Sequence, residues 1–126
     1  MRLEHIAIDV QDPAAFKEWW CRNLGMRVSA ANDIFITDDS GMMAIEVYRA
    51  ASLSSAPDYR AIDPLTLHIA FYSDDVDSDL ARLLAAGAEQ VELVHKPGFD
   101  MAMLRDPQGI PFQLIKRAAA IAMPPR

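Results

Sequence analysis

The chain has 126 residues, 52% of them hydrophobic, with a formal net charge of −6 and a pI near 4.9. That is one ordinary domain with enough apolar material for a core, which excludes an intrinsically disordered chain. The acidic balance, with no Lys/Arg cluster, excludes nucleic acid as a partner, and no apolar run approaches the ~18 residues of a membrane span. The single Cys21 cannot form an intramolecular disulfide, and Met1 leads directly into a strand pattern without a signal-peptide h-region, so the expectation is a soluble, cytoplasmic protein.

Leu3 to Val10 alternates. Ile6, Ile8 and Val10 take one face, suited to packing on a helix; Leu3, His5, Ala7 and Asp9 take the other. Asp12-Pro13 opens a helix as N-cap and first helical residue, Phe16, Trp19, Trp20 and Leu24 form its apolar stripe, and Gly25 ends it. The stripe reads as core packing, and Cys21 on the same outer helix as an inert thiol. Strands are expected at Met26 to Ala31, Ile34 to Thr37 and Met42 to Tyr48, separated by the Asn32-Asp33 and Asp38-Asp39-Ser40-Gly41 turns. On the last of these, Ile45 and Val47 share one face; Ala44, Glu46 and Tyr48 share the other.

Residues 50–64 are rich in Ala, Ser, Asp and Pro and lack periodicity, so they read as a linker. The pattern then restarts. Leu65 to Ser73 reads as a strand with Leu67, Ile69 and Phe71 toward a helix and Thr66, His68, Ala70 and Tyr72 opposite. Asp74-Asp75 caps a helix with the stripe Val76, Leu80, Leu83 and Leu84, closed by Gly87. Strands are expected at Gln90 to His95, Met101 to Arg105 and Pro111 to Lys116, with His95-Lys96-Pro97-Gly98-Phe99 as a mobile loop able to cover a site. The tail, 118–126, reads as frayed or packed on a partner.

Each half therefore reads strand, helix, strand, strand, strand, and each opens on His-Ile-Ala. His5 and His68 lie 63 positions apart; Glu46 and Gln113, on the closing strands, lie 67 apart. The fold class expected is α+β: one domain, 1–126, built of module 1 (1–49), a linker (50–64), module 2 (65–117) and a tail (118–126). Two copies of one module tend to pair by pseudo-two-fold symmetry, which brings equivalent positions together on a concave sheet face. For a single histidine or glutamate on a strand, a solvated face is the commoner explanation. Four polar residues at matched positions point instead to a ligand set for a borderline divalent metal: His5, Glu46, His68 and Gln113. Asp9, Tyr48, Thr66, Tyr72, Met101, Met103 and Arg105 are candidates to line the same cavity. Arg105 suits an anionic group or a plain exposed strand end equally.

The opening His5-Ile-Ala, the Asn23-Leu24-Gly25-Met26 helix exit, the second His68-Ile-Ala and the Arg105-Asp106-Pro107-Gln108-Gly109 turn resemble the vicinal oxygen chelate superfamily of glyoxalases, bleomycin-resistance proteins and extradiol dioxygenases. The resemblance covers residues 1 to about 117. It implies two βαβββ modules paired into an open, cup-shaped mixed sheet with helices on the outer face, and a homodimer. It also implies one divalent ion per site (zinc, nickel, manganese or iron), with His5, Glu46, His68 and position 113 as ligands. The family's last ligand is usually glutamate; Gln113 can ligate but cannot accept a proton. Within the superfamily the chain is taken as glyoxalase I-like. Yet Asp9 and Ala50 stand where glyoxalase I has its glutathione-binding arginine and asparagine, and Asp9 is expected to repel glutathione carboxylates.

These readings lead to a metal-dependent isomerase, epimerase or lyase acting on a small oxygen-rich molecule through a metal-stabilised enediolate, with Glu46 as general base. Ring-cleaving dioxygenation by a His5, His68 and Glu46 set is the second reading, and a non-catalytic, bleomycin-resistance-like binding protein the third.

Overall fold

The computed structural model describes residues 1–119 and 121. The chain divides into two compact units, Met1–Pro57 and Asp58–Arg126, and each is described by itself.

In the first unit, strand β1 (His5–Asp9) leads into helix α1 (Pro13–Leu24), followed by β2 (Arg27–Val28), β3 (Phe35–Thr37) and β4 (Ala44–Tyr48). The Asp12 side chain accepts from the Ala15 amide at 3.0 Å, Pro13 sits where its missing N–H costs nothing, and Gly25 closes the helix in the left-handed region (φ 68°). Such a cap is worth about 1 kcal/mol. Phe16 and Trp20 are buried and stacked, ring centroids 4.5 Å apart, beneath the Ile8, Val10, Ile45 and Val47 face of the sheet. Trp19 and Leu24, expected in the same stripe, are only half-buried at its margin.

The second unit repeats this plan. A 3-10 turn (Tyr59–Ala61) precedes β5 (Ile69–Tyr72), helix α2 (Val76–Ala85), β6 (Glu89–Lys96), β7 (Phe99–Arg105) and β8 (Pro111–Arg117). Asp75 caps α2 by accepting from Ser78 N at 3.0 Å, and Val76, Leu80 and Leu83 are buried against the sheet. Leu84, expected in that stripe, is exposed. The strand orders are the same in sequence terms, β1-β4-β3-β2 and β5-β8-β7-β6. In each, the first strand runs parallel to the last, and the remaining pairs are antiparallel. Two helices and two four-stranded mixed sheets make an α+β fold. No helix is long and apolar enough to cross a membrane among the described residues.

Several strands are shorter than their hydrophobic patterns. Met26 to Ala31 contributes only Arg27–Val28, and β3 and β4 start at Phe35 and Ala44. Local hydrogen bonds take the flanking amides: Asn32 Oδ1 accepts from Ile34 N, Asp38 Oδ1 from Ser40 N and Gly41 N, and Ser40 Oγ from Met42 N. Leu65 to His68 is likewise not strand. Asp63 accepts from Leu65 N through its side chain and from Thr66 N through its carbonyl, so the segment turns and leaves Leu65, Thr66 and Leu67 exposed. The stretch from His95 to Phe99 is not a mobile loop. Lys96 pairs with Phe99 across Pro97-Gly98, making β6 and β7 a tight hairpin. The expected fate of the tail falls partly on residues 120 and 122–126, outside the described residues; Ala118 N donates to Gly98 O at 2.9 Å.

Both units enter their closing strand through an Asp-x-x-Gly turn. Asp38 and Asp106 each accept from amides two or more residues ahead, and Gly41 and Gly109 take positive φ, 64° and 85°. Only at Gly109 is there also crowding: a Cβ there would lie 2.6 Å from Arg60 Cγ. Arg60 donates to Glu89 Oε1 and the Pro107 carbonyl at 2.9 and 3.2 Å. At Gly41 nothing lies within 4 Å. Gly41→Ala should therefore cost only the left-handed strain, of order 1 kcal/mol, and Gly109→Ala roughly 2–3 kcal/mol. Urea denaturation of the two variants checks this; equal losses would mean that Arg60 gives way freely.

His95 ties the hairpin to α2. Its Nε2 stands 3.1 Å from Asp77 Oδ1 and its Nδ1 2.8 Å from Asp100 Oδ1. The Asp100 hydrogen bond, then the Asp77 charge, raise its pKa above the ordinary value. The stabilisation it contributes is thus fully present below about pH 6.5 and lost as pH rises through the raised folded-state value. Thermal melts of the native chain and His95→Gln should converge as pH rises from 6 to 9; a constant gap would contradict this.

Candidate functional site

The repeat is carried down to strand register. Ala7, two residues after His5, pairs with Glu46; Ala70, two residues after His68, pairs with Gln113. In a parallel pair, directly opposed residues share a face. His5 therefore lies on its unit's face with Glu46, next to an alanine that leaves space, whereas His68 stands just before β5, outside the strand register.

In the first unit this brings His5 Nε2 to 3.5 Å from Glu46 Oε2, both side chains partly exposed. The Phe35 ring, opposite Glu46 in the antiparallel register, meets the His5 ring edge-on, centroids 5.4 Å apart. His5 Nδ1 is engaged by the Glu4 carboxylate. That hydrogen bond raises the His5 pKa above the ordinary value; partial loss of water opposes it, and the charges of Glu4 and Glu46 add to it.

In the second unit His68 Nδ1 lies 2.8 Å from the Pro64 carbonyl. A carbonyl can only accept, so Nδ1 carries the proton and Nε2 is the open nitrogen. Gln113 is half-buried on β8, and its side-chain amide makes no hydrogen bond with the described residues.

Whether these residues suit a metal ion is a question of donors. Among the described residues, no group of three or more His, Cys, Asp or Glu side chains stands together as a ready site. The donor chemistry nonetheless fits a borderline divalent ion. Both histidines have Nδ1 held by an oxygen, as metal-binding imidazoles commonly do; His68 Nε2 is left open, and His5 Nε2 faces the Glu46 carboxylate at 3.5 Å. Glu46 adds a carboxylate beside one of them, and Gln113 an unpartnered amide oxygen beside the other's strand.

The remaining candidates divide. Tyr48, Tyr72 and Met101 reach the surface on the same faces, and Met103 is buried at 2% exposure on the Gln113 face, opposite Gln113 itself. Thr66 lies in the turn before β5. Asp9 accepts from Ala50 N at 2.8 Å and from Arg49 Nη1 at 3.0 and 3.1 Å. Arg49 cancels the charge on which the expected repulsion of glutathione depended. Arg105 binds three backbone carbonyls, Tyr59, Gly109 and Ile62, at 2.7–3.0 Å, so its guanidinium fastens the segment before β5 to the sheet. Cys21 is half-buried, and burial pushes its thiol pKa up, as for an unreactive cysteine.

Sequence reasoning missed Glu4, Phe35, Arg49 and the Pro64 carbonyl. Phe35 could have been placed by continuing the alternation across the Asp38–Gly41 turn. Glu4 lies just before β1, where alternation no longer applies, and the Arg49 and Pro64 contacts have no sequence signature.

Comparison with known proteins agrees with this architecture. A family model described as a glyoxalase-like domain matches residues 5–115. No curated protein matches the chain by sequence. Among solved structures it is similar to TnmS3, an antibiotic binding protein from Streptomyces sp. CB03234, with 18% identity, 94% of this chain and 97% of that one covered, and a TM-score of 0.70. It is similar to the oxidase ChaP-H2, with 21% identity, 95% and 96% coverage and a TM-score of 0.67. It is also similar to a member of the glyoxalase/bleomycin resistance protein/dioxygenase superfamily from Sphaerobacter thermophilus DSM 20745, with 13% identity, 91% and 96% coverage and a TM-score of 0.66. At these identities the neighbours establish the fold alone. With the family match spanning nearly the whole chain and the repeated βαβββ register behind it, the chain belongs to the glyoxalase-like domain family of the vicinal oxygen chelate superfamily.

Proposed function

We propose that the chain is a divalent-metal enzyme that moves a proton on a small oxygen-rich molecule, in isomerase, epimerase or lyase chemistry. The observation that carries this reading is the His5–Glu46 pair: a carboxylate and an imidazole nitrogen 3.5 Å apart, both partly exposed, with Ala7 between their positions on the face. His5, Glu46, His68 and Gln113 would hold the ion, which when bound supplies Lewis acidity toward adjacent substrate oxygens. Glu46 is the carboxylate in the set and takes the substrate proton. Gln113 orients and ligates but accepts no proton, so a single-base reaction is favoured over one needing two matched carboxylates.

A second reading is a binding protein without chemistry. The amide at position 113 favours it, since half of a two-base pair is missing. The chain's likeness in fold to TnmS3, an antibiotic binding protein, supports this reading.

Elemental analysis of protein purified without chelator should find about one divalent ion per chain, and His5→Ala and His68→Ala should each weaken uptake at least tenfold. No uptake, or uptake indifferent to both variants, overturns the enzyme reading. Because Glu4 raises the His5 pKa, a proton competes for Nε2 already above the ordinary histidine range. Metal loss on acidification should therefore begin above about pH 6.5, followed by equilibrium dialysis.

Glu46→Gln should keep part of the metal while lowering proton exchange at the substrate carbon by roughly 10²–10⁴-fold, read by deuterium incorporation from solvent. Exchange at the native rate in that variant would place the base elsewhere.

A further inference from the structure

We infer that the hairpin end of the second unit's sheet is a binding site for a phosphate group, held by Lys96, Arg117 and Lys116. The site does not depend on the proposed function. Arg117 follows Gln113 by four residues on β8, about 13 Å at strand rise.

Strand register assembles it. Lys96 pairs with Phe99, and Phe99 with Arg117, so these three form one row on one face of β6, β7 and β8. Lys96 and Arg117, far apart in sequence, thus stand two strand spacings apart, about 10 Å between backbones, within reach of one ligand for two long side chains. The next row, on the opposite face, is His95, Asp100 and Lys116. A cavity of about 160 Å³ is lined by the first row and by Asp100 and Lys116 of the second. Gly98 and Ala118 border it, and their main chains are joined by the Ala118 N–H donating to the Gly98 carbonyl at 2.9 Å, which ties the end of β8 to the hairpin. The cavity is smaller than the roughly 300–1,000 Å³ of a site for a drug-sized ligand, so it suits a compact group.

The charges select that group. The chain carries a formal −6, yet this cavity has three cations to one carboxylate. That carboxylate is already engaged: Asp100 Oδ1 lies 2.8 Å from His95 Nδ1. Lys116 Nζ donates to the Asp74 carbonyl at 2.7 Å, which leaves two of its three N–H groups. Lys96 and Arg117 are exposed and make no hydrogen bond or ion pair with the described residues, whereas Arg49, Arg60 and Arg105 are taken up by carbonyls and carboxylates of the chain. The Arg117 guanidinium lies over the Phe99 ring, 5.3 Å from its centroid. The ring restrains the guanidinium without using its N–H groups, so the donor fork stays free for an oxyanion. A carboxylate is satisfied by that fork alone. A phosphate has three terminal oxygens and close to two charges, which match the fork and both ammonium groups together.

The test is a titration followed by amide ¹H–¹⁵N spectra at fixed ionic strength, with inorganic phosphate, phenyl phosphate and acetate as probes, on protein as purified and after chelator treatment. Both phosphates should shift the amides of Lys96, Phe99 and Arg117 saturably and bind roughly tenfold tighter than acetate, with the same affinity before and after chelation. The tighter of the two tells whether the site serves free phosphate or an ester. Lys96→Gln and Arg117→Gln should each weaken binding about fivefold, and Arg117→Lys, which keeps the charge but loses the fork and the ring contact, about threefold. Arg22→Gln, on α1 beside Glu18, should change nothing. Acetate bound as tightly as phosphate, shifts spread over the other Lys and Arg residues, or indifference to both glutamine variants would overturn the inference. So would loss of binding on chelation, which would place the phosphate on a metal ion. A chain that takes up no metal yet binds phosphate at Arg117 would overturn the proposed enzyme and leave this site standing.

Discussion

Everything at the candidate site depends on one constraint, the parallel pairing of the first and last strand of each unit. A parallel partner cannot be reached by a hairpin; the chain must cross over a helix and return. α1 and α2 make that crossing, and the antiparallel strands between them and the closing strand complete the return. The register then sets Ala7 against Glu46 and Ala70 against Gln113. A slip of one residue would turn His5 and Glu46 into the helix-packed layer and bring Ile8 and Val47 out, so burial of Phe16 and Trp20 against that layer protects the site's geometry as well as its stability.

The two units use this frame differently. In the first, the Glu4 carboxylate holds His5 Nδ1 and a second carboxylate stands beside Nε2. In the second, a backbone carbonyl holds His68, and the closing strand offers a neutral amide. The duplicated frame therefore carries an unequal pair: one half is basic and acidic at once, the other neutral and oriented. In the proposed reaction proton transfer falls to the first half, and the second holds rather than reacts.

Charges elsewhere are largely spent on architecture. Asp9 and Arg49 fix the exit of β4, Arg105 fastens the segment before β5, Arg60 braces the turn into β8, and His95 links the hairpin to α2. Two of these, Asp9 and Arg105, look in one dimension like binding residues, because a charged side chain at a strand end has the same sequence appearance whether it meets a ligand or a carbonyl.

The alternation from His5 to Val10, the capped helices at Asp12 and Asp75, the repeated His-Ile-Ala and the matched closing strands were legible from the residues alone, since period, caps and turn chemistry are local properties. They determined the α+β class, the order of elements and the face that His5 takes. Strand lengths were less legible: Asn32, Asp38 and Asp63 divert backbone amides into local turns that hydrophobic pattern does not register. The contacts that define the site's chemistry were decided only by the tertiary structure: Glu46 beside His5, Phe35 against its ring, the Pro64 carbonyl on His68, and Arg49 cancelling Asp9. Most of these join residues from separate elements, and their distances follow from strand register and chain return, which no single segment of sequence contains.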